Sequence, residues 1–85
     1  MKYTYQTHGT CSSQIDFELD EQGIIQSVQF LGGCHGNLQG ISVLVRGMKA
    51  SEAIAKLQGI RCGYKSTSCP DQLASALQQA LVAQH

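Results

Sequence analysis

Apolar and polar positions alternate from the start of the chain. Tyr3, Tyr5 and Thr7 are separated by Thr4 and Gln6, and beyond Gly9-Thr10 the residues Ile15, Phe17 and Leu19 are separated by Asp16 and Glu18. A period of two is that of a half-buried strand, so two strands are expected, the second with a clear inner face. Asp20-Glu21-Gln22-Gly23 reads as a hairpin loop, after which Ile24 to Leu31 continues with Ile24, Val28 and Phe30 on one side. Gln26 falls on that same apolar side, which requires either a bulge that shifts the register or an amide paired at a sheet end. The pattern predicts an antiparallel three-stranded meander, with Asp16 and Glu18 facing outward for solubility.

Past Gly32-Gly33 the period changes. Leu38, Ile41, Leu44 and Val45 fall at helical spacing, Asn37 is available as an N-cap, and Gly47 follows as a stop. A shorter helix is expected from about Ala50 to Leu57, carrying Ile54 and Leu57, with Ser51 and Glu52 in its first turn and Gly59 as its end. The last helix has the strongest signature: Ser68 and Asp71 stand in capping-box relation, Pro70 suits a first turn, and Leu73, Leu77 and Leu81 form one stripe. Gln72, Gln78 and Gln79 are assigned to its polar face, and Ala74, Ala76, Ala80 and Ala83 suit close helix contact.

At 85 residues the chain makes one domain, residues 1–85, with little margin from hydrophobic burial alone, so a metal or a partner subunit would add useful stability. Apolar residues make up 42% and charged residues 14%, both globular values. Six basic residues against six acidic ones leave no field to attract nucleic acid or an anionic membrane. The opening Met1-Lys2-Tyr3-Thr4-Tyr5 lacks the apolar stretch of a signal peptide, and no run is long enough to span a bilayer. The expected location is the cytoplasm, where thiols stay reduced and four cysteines read as ligands or reactive groups before they read as disulfides.

Those four, Cys11, Cys34, Cys62 and Cys69, each sit among residues that favour turns or helix starts. Cys11 falls in the turn between the first two strands, and Cys34 lies between Gly33 and His35-Gly36-Asn37, where the last strand gives way to a helix. Glycines there let the backbone approach a bound ion closely. Cys62 precedes Gly63 in the loop entering the last helix, with Arg61 and Lys65 nearby to offset negative charge. Cys69 belongs to that helix's first turn, where unpaired N–H groups and the dipole stabilise a thiolate. Soft thiolates suit zinc, copper(I) or iron-sulfur clusters, and a tetrahedral four-cysteine site is the simplest reading, although no pair has the C-x-x-C spacing. His35 is a replacement donor beside Cys34 and otherwise a solvated loop residue; His8 and His85 read as a strand end and a terminus.

The same thiols admit a redox reading, in which Cys69 attacks and Cys62 or Cys34 resolves. A third reading has no chemistry: Ser68 and Asp71 only cap a helix, and the chain is a small dimerising or accessory module. There is no Ser/His/Asp order, paired acid or phosphate loop, so no catalytic residue is assigned.

Three blocks, Gly32-Gly33-Cys34-His35-Gly36-Asn37-Leu38-Gln39-Gly40-Ile41, Leu57-Gln58-Gly59-Ile60-Arg61-Cys62-Gly63 and Thr67-Ser68-Cys69-Pro70-Asp71-Gln72-Leu73-Ala74, make the chain resemble the TSCPD family over nearly its whole length. That family includes small stand-alone bacterial proteins with four cysteines, and a related domain ends many adenosylcobalamin-dependent ribonucleotide reductases. The resemblance implies that Cys11, Cys34, Cys62 and Cys69 are metal ligands, and it links the chain to ribonucleoside-diphosphate reduction, with the reductase as a partner. A chain of 85 residues cannot build the reductase's barrel and radical-generating cofactor site, which leaves an accessory or regulatory module rather than a complete enzyme.

More distantly, the chain is similar to iron-sulfur cluster assembly scaffolds, which have a β-meander, a Gly-Cys at the sheet-to-helix junction and a further cysteine at the last helix start. Cys34 and Cys69 match that pattern best, Cys62 is extra, and the scaffold's acidic partner near its first cysteine is absent. Pattern and resemblance together predict an α+β domain: a three-stranded antiparallel sheet followed by helices packed on one face. The cysteine cluster is expected at the sheet-helix junction, with zinc first and an iron-sulfur cluster as the alternative. An uncovered sheet face and an alanine-rich helix are compatible with a homodimer.

Overall fold

Three strands precede three helices: β1 (Lys2–Gln6), β2 (Ser12–Leu19), β3 (Ile25–Gly32), α1 (His35–Val45), α2 (Ala50–Leu57) and α3 (Cys69–Gln84). The computed structural model describes residues 1–7, 10, 12–33, 35–60 and 67–84, with 35–37 and 84 described by backbone alone. The expectations for His8, Cys11, Cys34, Arg61, Cys62, Lys65 and His85, and for the side chain of His35, lie outside the described residues.

The strands form one antiparallel sheet in the order β1-β2-β3, the expected meander. Its register sets Tyr3 opposite Phe17, Tyr5 opposite Ile15, Ile15 opposite Phe30 and Phe17 opposite Val28, so these side chains share one face. The rings of Tyr3 and Phe17 stack with centroids 5.3 Å apart. The other face is polar: Thr4 donates to Asp16 at 2.9 Å, and Gln6 donates to Gln14 at 3.1 Å.

Two bulges interrupt the β2–β3 pairing. Glu18 pairs with Ser27 and Leu19 with Ile25, so Gln26 is the extra residue and stands exposed, its amide reaching Asp20 Oδ2 at 3.3 Å. Both expected solutions to Gln26 are therefore used together. The bulge also makes Ile25, not Ile24, the fully buried residue at the start of β3. At the other end Ser12 pairs with Gly32 and Gln14 with Leu31, which leaves Ser13 as the extra residue. The hairpin closes on Asp20, whose Oδ1 accepts the N–H groups of Gln22 at 2.8 Å and Ile24 at 2.9 Å, while Gly23 adopts φ +79°.

Gly32 and Gly33, with φ of +79° and +84°, turn the chain sharply enough for α1 to start at His35. Asn37 thus lies inside the helix and is not its cap. Leu38 and Val45 are buried and Ile41 is half-buried, but Leu44 is 76% exposed. Leu44 sits about 100° of rotation from Val45, off the stripe that faces the sheet. The link between α1 and α2 runs beside the start of β3, where Ile25 N–H donates to Met48 O at 2.9 Å and Gly47 N–H to Ile25 O at 2.8 Å. The α2 bounds are those expected; Ala50 and Ala53 are buried.

The long helix α3 completes the core. Leu73 and Leu77 are fully buried and Leu81 is half-buried, while Ala76 and Ala80 join Ile15, Phe17, Leu19 and Ile25 in the same apolar cluster. Gln78 is exposed as expected and donates to Gln58 on the α2 side at 3.2 Å. Gln72, assigned by pattern to the polar face, is instead only 9% exposed. At the hairpin end, a Cβ on Gly23 would meet Leu81 Cδ2 at 3.5 Å, and the Met1 amino group donates to Leu19 O at 2.7 Å. Among the described residues no helix is long and apolar enough to cross a membrane.

Candidate metal centre

The run Thr67-Ser68-Cys69-Pro70-Asp71 assigns each residue a separate structural task. Ser68 caps α3: its Oγ accepts the Asp71 N–H at 3.2 Å, and its own proton goes to Ile60 O at 2.5 Å. Pro70 tolerates the first turn because its missing N–H has no intrahelical acceptor there. The Asp71 carboxylate accepts Gly59 N–H on Oδ1 at 2.7 Å and the Thr67 hydroxyl on Oδ2 at 2.5 Å. The Gln72 amide then donates to Thr67 Oγ1 at 3.1 Å, which explains how a glutamine is accommodated at a buried position. The chain just after α2 is in this way bonded twice to the start of α3.

Cys69, the first residue of α3, is 7% exposed, and its sulfur lies 3.1 Å from Ser12 Oγ at the start of β2. Ser12 is itself only 3% exposed. Strict alternation counted back from Ile15 would turn Ser13 inward; the bulge leaves Ser13 exposed and aims Ser12 at the helix instead. The Ser12 carbonyl accepts the hydroxyls of Thr7 and of Thr10, the latter at 3.2 Å, and the Thr10 and Ser12 hydroxyls lie 3.3 Å apart. Among the described residues no buried side-chain nitrogen or oxygen is left without a partner.

Of the four predicted ligands, the structure describes Cys69 alone; Cys11, Cys34 and Cys62 lie outside the described residues, within which no group of three His, Cys, Asp or Glu side chains could hold a metal. Their described neighbours do meet. Ser12, next in sequence to Cys11, pairs with Gly32, two residues before Cys34, and touches Cys69. Ile60, two residues before Cys62, is bonded to Ser68, which precedes Cys69. Ser12 and the Asp71–Gly59 bond were not assigned any role from sequence. A serine flanking Cys11 gives no periodic signal, and a partnership across 12 positions matches no helix or strand spacing.

No curated protein and no solved structure is detectably similar to the chain. The family model described as TSCPD domain matches residues 1–81, a span that takes in all three strands, all four cysteines and the leucine stripe of α3, and the chain belongs to the TSCPD domain family.

Proposed function

We propose that Cys11, Cys34, Cys62 and Cys69 together hold one metal ion, zinc in the first place, and that the chain is an accessory or regulatory module linked to ribonucleoside-diphosphate reduction. The observation that carries the metal reading is the meeting of the cysteines' neighbours: Ser12, Gly32, Ile60 and Ser68 are joined by register and hydrogen bonds around Cys69. One residue of chain spans about 4 Å and two span at most about 8 Å, so short tethers connect the three other thiols to these anchors. Four soft donors, with Cys69 at a helix N-terminus, fit zinc, which supplies folding free energy when bound between elements of a small domain. The link to the reductase rests on family membership, and a cytoplasmic location follows from the need for reduced thiols.

The test is elemental analysis of untagged protein purified without oxygen, with an absorption spectrum and free-thiol counting, repeated on single Cys→Ser variants of the four positions. About one zinc per chain, with thiols protected in the parent and released in each variant, is the expected result. Iron with acid-labile sulfide would transfer the site to the cluster-scaffold reading. Metal-free protein with four equally reactive thiols would sink the metal reading altogether. The reductase link is checked by whether the zinc-loaded chain binds a ribonucleotide reductase or alters its turnover; no effect on either removes it.

A further inference from the structure

The inward positions of β2 hold Ile15, Phe17 and Leu19, and against that background the buried hydroxyl of Ser12 is out of place unless it has a strong partner. Its single proton has two neighbours, Thr10 Oγ1 at 3.3 Å and Cys69 Sγ at 3.1 Å. The Thr10 proton already has an acceptor in the Ser12 carbonyl. A thiolate held by a metal accepts a charge-assisted bond, so within the four-cysteine site the 3.1 Å contact to sulfur is the stronger of the two. The bulge at Ser13 is what delivers this hydroxyl to the sulfur.

We propose that Ser12 is a positioning residue of the thiolate site: it donates its hydroxyl proton to Cys69 Sγ, fixes that sulfur's direction and draws electron density from it. This deepens the four-cysteine reading and rests on it. Outer hydrogen bonds of this kind are worth roughly 10–100-fold in metal affinity.

The experiment compares the parent, Ser12→Ala and Ser12→Thr, each reduced and metal-free, by binding of cobalt(II) followed through its thiolate charge-transfer band and by zinc competition against a chromophoric chelator. Thermal unfolding of the metal-free forms checks the fold. Ser12→Ala is expected to bind roughly 10–100-fold more weakly, because the sulfur loses the group that orients it and stabilises its charge, and to move the band to lower energy, because a sulfur relieved of its hydrogen bond is a better electron donor. Ser12→Thr, which keeps the hydroxyl, is expected to hold the parental band position. An Ser12→Ala protein with parental affinity and an unmoved band overturns the assignment of Ser12 while leaving the metal site standing. A band displaced equally in both variants overturns the role of the hydroxyl. A parent that binds neither metal overturns both proposals together.

Discussion

Replacing Asp71 with alanine tests the clasp between the end of α2 and the start of α3. The carboxylate accepts at least two bonds, from Gly59 N–H at 2.7 Å and from the Thr67 hydroxyl at 2.5 Å, and it stands in the first turn of α3 where the helix dipole favours an anion. A hydrogen bond to a charged group contributes about 1.5–3 kcal/mol, and a carboxylate in a first turn about 0.3–1 kcal/mol more. Asp71 is only half-buried and Gly59 is exposed, so water recovers part of what the substitution removes, and the low end applies. The expected loss is about 2–3 kcal/mol. Spread over the unfolding entropy of 85 residues, that lowers Tm by about 11–17 °C. Urea unfolding followed by far-ultraviolet circular dichroism, with chelator and reductant present, should show the midpoint falling with the slope unchanged. Asp16→Ala is the control: Asp16 is also half-buried, but it accepts only side-chain donors, Thr4 and Gln14, ties up no backbone N–H and stands at no helix end, so it should cost no more than about 1 kcal/mol. Equal losses at Asp71 and Asp16 would refute the clasp.

Three further outcomes follow from packing, backbone geometry and metal linkage. Leu77→Ala, at a fully buried position, is expected to cost about 3 kcal/mol in the same assay, whereas Val82→Ala, 77% exposed on the same helix, should stay within about 0.5 kcal/mol; similar losses would contradict the placement of the leucine stripe. Gly23→Ala should destabilise by about 1–2 kcal/mol because φ is +79°, the contact with Leu81 being ordinary, while Gly40→Ala in the open flank of α1 should stabilise by about 0.5–1 kcal/mol; equal signs would show the backbone reading to be mistaken. If zinc is held by the four thiols, free zinc at about 100 times Kd should raise stability by about 2.7 kcal/mol, and excess chelator should abolish the gain; a Tm indifferent to both argues for a metal-free module.

The sheet was legible in the sequence because alternation is a one-dimensional signal, and the same holds for the Leu73-Leu77-Leu81 stripe and for α2 between Ala50 and Gly59. Gln26 announced a bulge by breaking the pattern, though only the pairing shows that the extra residue turns Ile25 inward. The failures share a cause. Asn37 has the chemistry of an N-cap, but the left-handed pair Gly32-Gly33 starts the helix before it. Leu44 is apolar and yet sits off the covered stripe, and Gln72 is polar and yet buried, because each position is decided by what packs or bonds against it. Of the candidate site, Cys69 was legible at the start of the last helix from the Ser68, Pro70 and Asp71 signature around it. Ser12 was not, since its orientation depends on a bulge one residue away, and Asp71 was read as a cap alone because Gly59 belongs to a different element.

The ends of α3 divide the domain into two poles about 24 Å apart, the length of a 16-residue helix. Cys69, Ser12 and Gly32 gather at one, whereas Leu81 against Gly23 and the Met1 amino group on Leu19 lie at the other. Any polypeptide continuing before Met1 or after Gln84 would therefore leave from the pole remote from the sulfur. The domain is built like a plug with its cable at the back: a larger chain or a fused reporter joined at that pole would stand clear of Cys69.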